Sequence, residues 1–368
     1  MKSLRVGSHG GNLWRVAEER GFLEQEILDF SADLNPWAEE WPLGLEWAEV
    51  LDGIRRYPEP TYRRFRNAAA QREGVHPDCI LRGNGTADLI HLISRWRSGA
   101  RALIPVPTFT EYARAVQADG GSVQDWLLKW EDGFSSMGFE QVLQSERALL
   151  LFLCNPNNPT GTLWPRRQLL ECLDHCQRRG HTLVVDEAYM DFVEEGERFS
   201  LVGEVHRASC LIVLRSLTKL FGIPGIRAGY AVGSAEVVDS LLQFQPPWTL
   251  NSLAAQMGAR LLQDSGACLN KIRPRLQEAR SRLWDGLKAL SFLQAFPSTA
   301  NFILCRLTDP RLSAVALAQR LEERGILIRL CDDFEGLEED RFIRVAVLKE
   351  DQNQRLLKAI QEAAPHAG

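Results

Sequence analysis

The sequence predicts an α/β protein with a mostly parallel central sheet, joined to a smaller α+β domain in its C-terminal third. Two observations lead to this prediction. From about Ala87 onward, short apolar runs alternate with amphipathic stretches, which is the pattern of buried parallel strands and crossover helices. After Asn251 the pattern changes to Arg-rich helical sequence followed by short strand-like segments. The chain of 368 residues, 45% of them hydrophobic, is long enough to bury such a core.

Five apolar runs are the predicted strands of the central sheet: ALIP at 102–105, ALLLFL at 148–153, TLVVDE at 182–187, CLIVLR at 210–215 and GYAVG at 229–233. Helices are predicted at 110–119 and at 166–179, each ended by glycine. In the C-terminal part, a helical stretch reaches about Leu290. It is followed by the strand-like segments NFILCRL, ILIRLC and RFIRVAV, a helix at 313–324 and a final helix.

These patterns divide the chain into three parts. Residues 1–44 are predicted to be an N-terminal arm that joins the small domain, 45–250 a large domain, and 251–368 a small C-terminal domain. Neither an internal repeat nor a flexible linker is visible in the sequence. We therefore expect the parts to pack together, with the functional pocket between them.

Composition argues for a small-molecule substrate. The net charge of −5 is small and no block of like charge stands out, so neither nucleic acid nor an anionic membrane is an expected partner. The N-terminus lacks an apolar run of signal-peptide length, and the apolar stretch at 148–154 is too short to span a bilayer, which predicts a cytoplasmic protein. The eight cysteines form no CxxC pair or metal-ligand cluster, so no metal is predicted.

Polar residues follow two of the predicted strands. NPNNPTG (155–161) follows ALLLFL, and its proline turns can aim an amide into the crevice at the carboxyl edge of a parallel sheet; a plain turn is the alternative. TLVVDEAY places Asp186 at the end of an apolar strand, where an unpaired carboxylate is costly to bury. A protonated pyridine nitrogen would pair with it, and Tyr189 could donate to the phenolic oxygen of the same ring. A Mg²⁺ site or a structural cap remains open for Asp186.

The segment CLIVLRSLTKLFGIPGIRAGY (210–230) carries the strongest chemical signal. A strand is followed by Ser216, by Lys219 and, after a glycine-rich bend, by Arg227. The chain has only seven lysines and uses arginine almost everywhere else, so Lys219 is not a casual surface charge. Lysine can lose its proton and form an imine, whereas the planar guanidinium of arginine suits phosphate. We therefore predict Lys219 for covalent chemistry and Ser216 with Arg227 for phosphate binding.

Two weaker signals fit the same ligand. In LRGNGTADLIHLI, the residues Gly83 to Thr86 lead into an apolar helix, whose exposed amides could bind a phosphate dianion. A plain capping turn is the alternative. PVPTFTEY offers Phe109 or Tyr112 as an aromatic plate for a ring, with core packing as the alternative for both.

Together NPNNPTG, VVDEAY, SLTK and GIRAGY resemble the fold-type I, aspartate-aminotransferase-like family of pyridoxal-phosphate enzymes. The resemblance runs from about Asp29 to the C-terminal helix. It implies a PLP-dependent transferase-like fold, pyridoxal 5'-phosphate (PLP) as cofactor and a homodimer. The implied cofactor ligands are Lys219 through a Schiff base, Asp186 on the pyridine nitrogen, Asn158 and Tyr189 on the phenolic oxygen, and Gly85, Thr86, Ser216 and Arg227 on the phosphate.

The resemblance extends to the partner subunit and to the substrate. Tyr57 of RYPEPTY resembles the tyrosine that reaches the cofactor phosphate of a partner subunit, and Arg344 of RFIRVAV the arginine that binds the substrate α-carboxylate. Within the family, HGGN (9–12), DFSADLNP (29–36) and GILIRLC (325–331) resemble the threonine-phosphate decarboxylases, which make aminopropanol phosphate for the cobalamin side chain. This resemblance implies that His9, Gly10 and Arg329 grip the substrate phosphate.

The chain departs from that pattern at two places. Asp33 stands where DFSANxNP has asparagine, and Asp333-Phe334 replaces an asparagine-aromatic pair. Both aspartates add possible negative charge near an anionic substrate. Asp33 and Asn158 are expected beside the substrate. A protonated or outward-turned Asp33 would be harmless, whereas an ionised one facing phosphate would repel it and alter specificity, for example toward serine phosphate.

Reaction type depends on which bond at Cα stands perpendicular to the pyridine plane, and the sequence does not determine that torsion. A carboxylate in that position leaves as CO₂, whereas a hydrogen there leads to transamination through Lys219. A histidinol-phosphate-like aminotransferase is therefore the alternative enzyme. A non-catalytic ligand-binding relative is a third hypothesis, although every cofactor position is filled.

Overall fold

A computed structural model describes residues 10–41, 47–145, 150–337 and 339–363. Within these ranges the helices are α1 (Leu13–Arg20), α2 (Trp47–Ile54), α3 (Arg63–Glu73), α4 (Thr86–Trp96), α5 (Glu111–Ala118), α6 (Phe139–Ser145), α7 (Arg166–Arg179), α8 (Leu217–Leu220), α9 (Ala235–Leu242), α10 (Ser252–Gln263), α11 (Ser265–Lys288), α12 (Ala314–Glu322) and α13 (Glu350–Ala363). No helix in these ranges is both long and apolar enough to cross a membrane.

The strands of the same ranges are short and mostly apolar. They are β1 (Leu28–Asp29), β2 (Ile80–Gly83), β3 (Arg101–Val106), β4 (Ser122–Leu127), β5 (Leu150–Cys154), β6 (Thr182–Asp186), β7 (Leu211–Ser216), β8 (Gly229–Gly233), β9 (Leu293–Ala295), β10 (Phe302–Leu307), β11 (Ile326–Leu327), β12 (Arg329–Leu330) and β13 (Phe342–Ala346).

The central sheet has the strand order β2-β8-β7-β6-β5-β3-β4. Strands β3 to β7 run parallel. All but the edge strand β4 are buried almost throughout, because helices cover both faces of the sheet. Helices α4, α5 and α9 pack on one face, and α7 packs on the other. The sequence correctly predicts α7 from residue 166 to 179, since Gly180 adopts the left-handed conformation (φ 67°) that ends it.

One central strand runs against the predicted direction. GYAVG forms β8, which pairs antiparallel with β7 in the register Ser216 to Gly229. Helix α8 has only four residues, too few to carry the chain back across a sheet face, so the chain turns and returns beside β7. This sharp return keeps Lys219 at the carboxyl edge of the sheet.

The C-terminal part differs from the sequence-based prediction in one helical stretch and, as described in the next paragraph, in one strand. The helical stretch that reaches about residue 290 consists of two helices, α10 and α11, which meet at Asp264. Helix α10 packs on α3, so closely that a Cβ atom on Gly258 would lie 2.5 Å from the Phe65 ring. The domain boundary at 250 stays a prediction, and the one at 44 lies outside the described residues.

The segment ILIRLC forms two strands in two different sheets. Strand β11 pairs in parallel with β1, which ties the N-terminal segment to the C-terminal part. Strand β12 pairs antiparallel with β13 in the four-stranded sheet β12-β13-β10-β9. This register sets Arg329 directly opposite Arg344. Two like charges in that position repel each other unless anions lie beside them.

Candidate active site

A cavity of about 730 Å³ lies at the carboxyl edge of the parallel strands. Phe109 follows β3, Asn158 follows β5, Asp186 ends β6 and Ser216 ends β7, and all four line the cavity. In an open α/β sheet, ligands bind at this edge, because the loops that leave adjacent strands converge there.

Most of the residues predicted from the sequence meet in this cavity. Those that line it are Gly10, Asp33, Thr86, Phe109, Asn158, Asp186, Tyr189, Ser216, Lys219, Arg227, Arg329 and Arg344. Gly85, the residue before Thr86, is not among the residues that line the cavity. His9 lies outside the described residues, and its predicted contact with the substrate phosphate stays a prediction.

Tyr57 does not line the cavity of its own chain. Its side chain is 78% exposed and stacks on Trp248, with ring centroids 4.5 Å apart. Exposed Ile54 and Leu51 lie three and six residues earlier in the chain. An exposed apolar group of this kind fits the predicted contact with a partner subunit, which stays a prediction.

One end of the cavity is a cradle of hydrogen-bond donors. Gly85 precedes the first turn of α4 with φ 83°, and a Cβ atom there would lie 2.8 Å from Arg227 Nη2. A Cβ atom on Gly229 would lie 3.1 Å from the Thr86 amide nitrogen. The two glycines thus leave room beside a helix N-terminus, a guanidinium and the Ser216 hydroxyl, which together suit a phosphate dianion.

Asp186 lines the same cavity with a buried carboxylate. It is only 3% exposed, and it accepts hydrogen bonds from Tyr112 Oη at 2.8 Å and from the Ala188 amide at 3.0 Å. Burial raises the pKa of Asp186 to about 6, and these two donors lower it only in part. A cationic group bound beside it would therefore be strongly favoured, as the sequence argument requires.

Lys219 forms an ion pair that connects sequence positions 186 residues apart. Its Nζ donates to Asp33 Oδ1 at 2.7 Å, and Asp33 Oδ2 accepts the Tyr189 hydroxyl and lies 3.5 Å from Arg344 Nη1. Burial alone would raise the pKa of Asp33, but Arg344 and Lys219 outweigh it and hold the pKa below its usual range. Asp33 is therefore an ionised, inward-facing carboxylate.

Tyr189 keeps its proton in this environment. Burial and the Asp33 carboxylate raise the pKa of Tyr189 well above its usual value, so the hydroxyl remains a donor. Arg344 is 4% exposed and donates to Asn158 Oδ1 through Nη1 and to the Ser31 carbonyl oxygen at 3.0 Å through Nη2. Its Nε is buried and has no acceptor among the described residues, which leaves a donor for a bound anion.

Arg329 is buried beside Arg344 and has its own carboxylate partner. Its Nη2 lies 2.7 Å from both Oδ1 and Oδ2 of Asp333, four residues further along the chain. Asp333 and Asp33 thus each compensate one of the two opposed arginines. These are the two positions at which the sequence departs from the decarboxylase pattern.

The segment that carries Asp33 is held by local hydrogen bonds. Asp29 Oδ1 accepts the Ser31 amide at 2.8 Å and the Ser31 hydroxyl at 2.5 Å, which closes an Asx turn. Ser31 Oγ in turn accepts the Gly11 amide at 2.7 Å. The turn therefore brings the glycines of HGGN and Asp33 to the same side of the cavity.

Sequence reasoning missed the polar roles of three residues. It offered Tyr112 as an aromatic plate, but this ring stacks on Phe152 (5.0 Å between centroids) and its hydroxyl holds Asp186. It treated Ser31 as part of a motif only, and it read Asp333 as a possible source of repulsion rather than as the partner of Arg329. The spacing of four residues between Arg329 and Asp333 was the one available signal.

Comparisons with known proteins are consistent with this geometry. A family model described as aminotransferase class I and II matches residues 33–360. The threonine-phosphate decarboxylase of Salmonella typhimurium is 36% identical over 367 residues, covering 98% of this chain and 97% of that protein.

Aminotransferases are similar to this chain as well. A histidinol-phosphate aminotransferase of Caldanaerobacter subterraneus subsp. tengcongensis is 33% identical over 356 residues, covering 94% of this chain and 97% of that protein. The crystal structure of the histidinol-phosphate aminotransferase from Clostridium acetobutylicum has a TM-score of 0.83 at 29% identity, covering 91% of this chain and 98% of that one.

Proposed function

The chain belongs to the aminotransferase class I and II family, and from this premise we propose that it decarboxylates O-phospho-L-threonine. Membership confirms the family resemblance and the predicted α/β, PLP-dependent transferase-like fold. The cofactor of the enzyme is pyridoxal 5'-phosphate, as predicted. The proposed product is (R)-1-amino-2-propanol phosphate, for use in cobalamin biosynthesis.

The residues of the cavity fit this cofactor. The open space at Gly85 and Gly229, with Thr86, Ser216 and Arg227 around it, suits the phosphate group. Asp186 suits a protonated ring nitrogen, because within the described residues its buried carboxylate forms no ion pair and accepts only from the neutral Tyr112 hydroxyl and Ala188 amide. Phe109, which lines the same cavity, would serve as a plate for the ring, and Lys219 Nζ would hold the cofactor covalently.

Bound pyridoxal phosphate supplies an electrophilic carbon for the substrate amino group and an electron sink for the carbanion that loss of CO₂ leaves. The protein supplies orientation and protons. Tyr189 and Asn158 would donate to the phenolic oxygen, and Lys219 Nζ would deliver the proton to Cα. One Cα–carboxylate bond breaks, and one Cα–H bond forms.

The observation that carries the proposal is the pair of buried arginines, Arg329 and Arg344, which lie opposite each other across β12 and β13. Arg344, with its unsatisfied Nε, would bind the α-carboxylate, and Arg329 would bind a second anionic group. A phosphorylated amino acid carries both anions. Gly10, which lines the same cavity, would offer backbone amides to the phosphate.

The assay that tests the proposal measures CO₂ release from cofactor-loaded protein without any keto acid. O-phospho-L-threonine and O-phospho-L-serine are supplied separately, with unphosphorylated L-threonine as the control. Release from O-phospho-L-threonine at a kcat/KM well above that for L-threonine is the expected result. Absence of release from both phosphorylated substrates would contradict the proposal.

A histidinol-phosphate-like aminotransferase is the second candidate, and the 33% identical relative supports it. An amino acceptor such as 2-oxoglutarate also carries two anions, so the paired arginines fit this reaction too. Amino transfer from histidinol phosphate to 2-oxoglutarate, in protein that releases no CO₂ from phosphothreonine, would establish this alternative.

Replacing Arg329 with glutamine is expected to raise the KM for O-phospho-L-threonine by about 10- to 100-fold, the effect of losing one charged hydrogen-bonded contact. Arg344→Gln is the matched comparison on the facing strand. It should impair phosphorylated and unphosphorylated substrates alike, because both carry the carboxylate. Steady-state kinetics on phosphothreonine and threonine distinguish the two patterns.

The reciprocal variant is Asp333→Asn, which frees Arg329 from its carboxylate and should lower the KM for the phosphorylated substrate. An Arg329→Gln enzyme that discriminates between the two substrates as well as the wild type does would show that Arg329 does not bind the phosphate.

A further inference from the structure

The Asp33 carboxylate contacts three other residues of the candidate active site. Asp33 is 4% exposed, and its carboxylate faces Lys219 Nζ at 2.7 Å, the Tyr189 hydroxyl, and Arg344 Nη1 at 3.5 Å. The ionised carboxylate therefore sets one negative charge directly against Lys219.

Hydrogen bonds from Asn35 hold the segment that carries Asp33 against the segment that carries Lys219. The Asn35 amide donates to the Lys219 carbonyl oxygen at 3.0 Å, and Asn35 Nδ2 donates to the Leu220 carbonyl oxygen at 2.8 Å. The segment that carries Asp33 is thus hydrogen-bonded to α8, the short helix that carries Lys219. The ion pair is part of the framework, and it does not depend on two long side chains meeting by chance.

The charged and titratable groups around this pair come from four elements. Tyr189, whose ring lies 5.6 Å from Lys219 Nζ, and Asp186 come from the end of β6 and the turn after it, Arg344 comes from β13, and Cys154 ends β5. Burial raises the pKa of the Cys154 thiol to about 12, so this thiol carries no charge near pH 7. Arg344 is the one cation of this group besides Lys219, and its Nη1 also donates to Asn158.

An ionised carboxylate in contact with an amine stabilises the protonated amine. This bears on reaction type, because the two reactions of this cofactor ask opposite things of the lysine. Decarboxylation needs an acid that gives a proton to Cα, whereas amino transfer begins with a base that removes the proton from Cα.

We propose that Asp33 holds a proton on Lys219 Nζ and so makes this lysine a proton donor to the substrate Cα, which favours loss of CO₂ over amino transfer. The inference deepens the proposed function and rests on it. In the step, the bond between Cα and the carboxylate breaks, CO₂ leaves, and the electron pair stays at Cα. The Nζ–H bond then breaks, its electron pair stays on Nζ, and the proton bonds to Cα. Solvent replaces one proton per turnover, and Asp33 stays ionised as a positioning residue.

The first test needs no substrate. The absorbance of the cofactor bound to Lys219 depends on whether Nζ carries a proton, so a spectrophotometric pH titration of the holoenzyme reads how strongly Asp33 holds a proton on Nζ while the cofactor is attached. Asp33→Asn is expected to lower the titration midpoint by about 1 to 3 pH units, the effect of removing one adjacent opposite charge. Asparagine has nearly the same shape as aspartate, so this variant is expected to fold.

Two variants control the titration. Asp333→Asn removes one negative charge from the partner of Arg329 instead, and it should move the midpoint less than Asp33→Asn does. Asp33→Glu keeps the charge and should stay closer to the wild type than Asp33→Asn does. An identical midpoint in the wild type and Asp33→Asn overturns the proposal, as does an equal shift in Asp333→Asn.

The second test measures products from O-phospho-L-threonine with 2-oxoglutarate present. Asp33→Asn is expected to lower the ratio of CO₂ release to glutamate formation by about tenfold or more, since one pH unit is tenfold in the protonated fraction. An unchanged ratio overturns the link to reaction type.

The two tests separate the inference from the proposed function. If Asp33→Asn shifts the titration midpoint but the wild-type enzyme releases no CO₂, Asp33 still holds the proton on Lys219. Both the proposed decarboxylase function and the effect of Asp33 on reaction type are then rejected. Release of CO₂ with an unshifted midpoint would keep the decarboxylase and reject the role of Asp33.

Discussion

Lys219→Ala is expected to lose the visible absorbance of the bound cofactor and to lower turnover by at least about 10³-fold. Alanine removes the amine that would hold the cofactor and the proton donor at Cα, and proton transfer by a positioned group alone contributes about 10²- to 10⁴-fold. The measurement is an absorption spectrum of protein freed from loose cofactor by gel filtration, followed by the CO₂ assay.

Lys358→Ala is the matched control, because its side chain is 80% exposed on α13 and lies outside the cavity. It should keep both colour and activity. The variant at Lys219 leaves Asp33 buried with Arg344 as its remaining cation, so its far-UV circular dichroism should be compared with that of the wild type. Visible absorbance that survives washing in folded Lys219→Ala would show that the cofactor is attached elsewhere.

Asp186→Asn is expected to stabilise the cofactor-free protein and to weaken the loaded enzyme. Burial raises the pKa of Asp186 to about 6, above the ordinary value of 3.8 for a free aspartate. The folded state therefore binds this proton more tightly than the unfolded state does. The stability that this proton contributes is fully present below pH 3.8 and is lost as the pH rises through 6.

At pH 8 the ionised carboxylate thus costs the folded state about 3 kcal/mol, and asparagine removes that cost. Denaturant unfolding of cofactor-free protein should show Asp186→Asn more stable than the wild type at pH 8, with a smaller difference at pH 5. A gain that does not change with pH would mean that burial does not raise the pKa of Asp186.

The same substitution removes the anion that would pair with the ring nitrogen. Loss of one partner of a buried charge pair costs about 2 to 5 kcal/mol, which predicts about 30- to 5,000-fold weaker cofactor binding. Cofactor affinity is read from the rise in visible absorbance on titration. Asp239→Asn, at an exposed carboxylate on α9, is the control and should change neither stability nor cofactor affinity. Equal cofactor affinity in Asp186→Asn and the wild type would exclude the ion pair.

Local sequence was enough to predict most of the elements that hold the site. Apolar runs long enough for one buried strand predicted β3, β5, β6 and β7, and the polar residues at their ends predicted which edge carries the chemistry. The boundaries of α7 followed from one glycine. These features depend on neighbours within a few residues, so hydrophobic pattern, capping and turn chemistry determine them.

Strand direction and partner choice needed the tertiary structure. The sequence of β8 reads like that of its parallel neighbours, and only the shortness of α8 shows that the chain turns back. The segment ILIRLC reads as one strand, yet its two halves pair with β1 and with β13. The pairing of a strand depends on which sheet edge is free beside it in the folded protein, and the local sequence pattern carries no information about that.

The sequence by itself thus determined the family and the cofactor of this protein, and it predicted the residues that would hold the cofactor: a lysine after a buried strand, a carboxylate at the end of the neighbouring strand, and donors for phosphate at a helix N-terminus. Only the tertiary structure decided how the charges pair. It set Asp33 against Lys219, Asp333 against Arg329 and the Tyr112 hydroxyl against Asp186. The physical reason is that the strength of an ionic contact depends on distance and burial in the folded chain, whereas a residue's type is known before the chain folds.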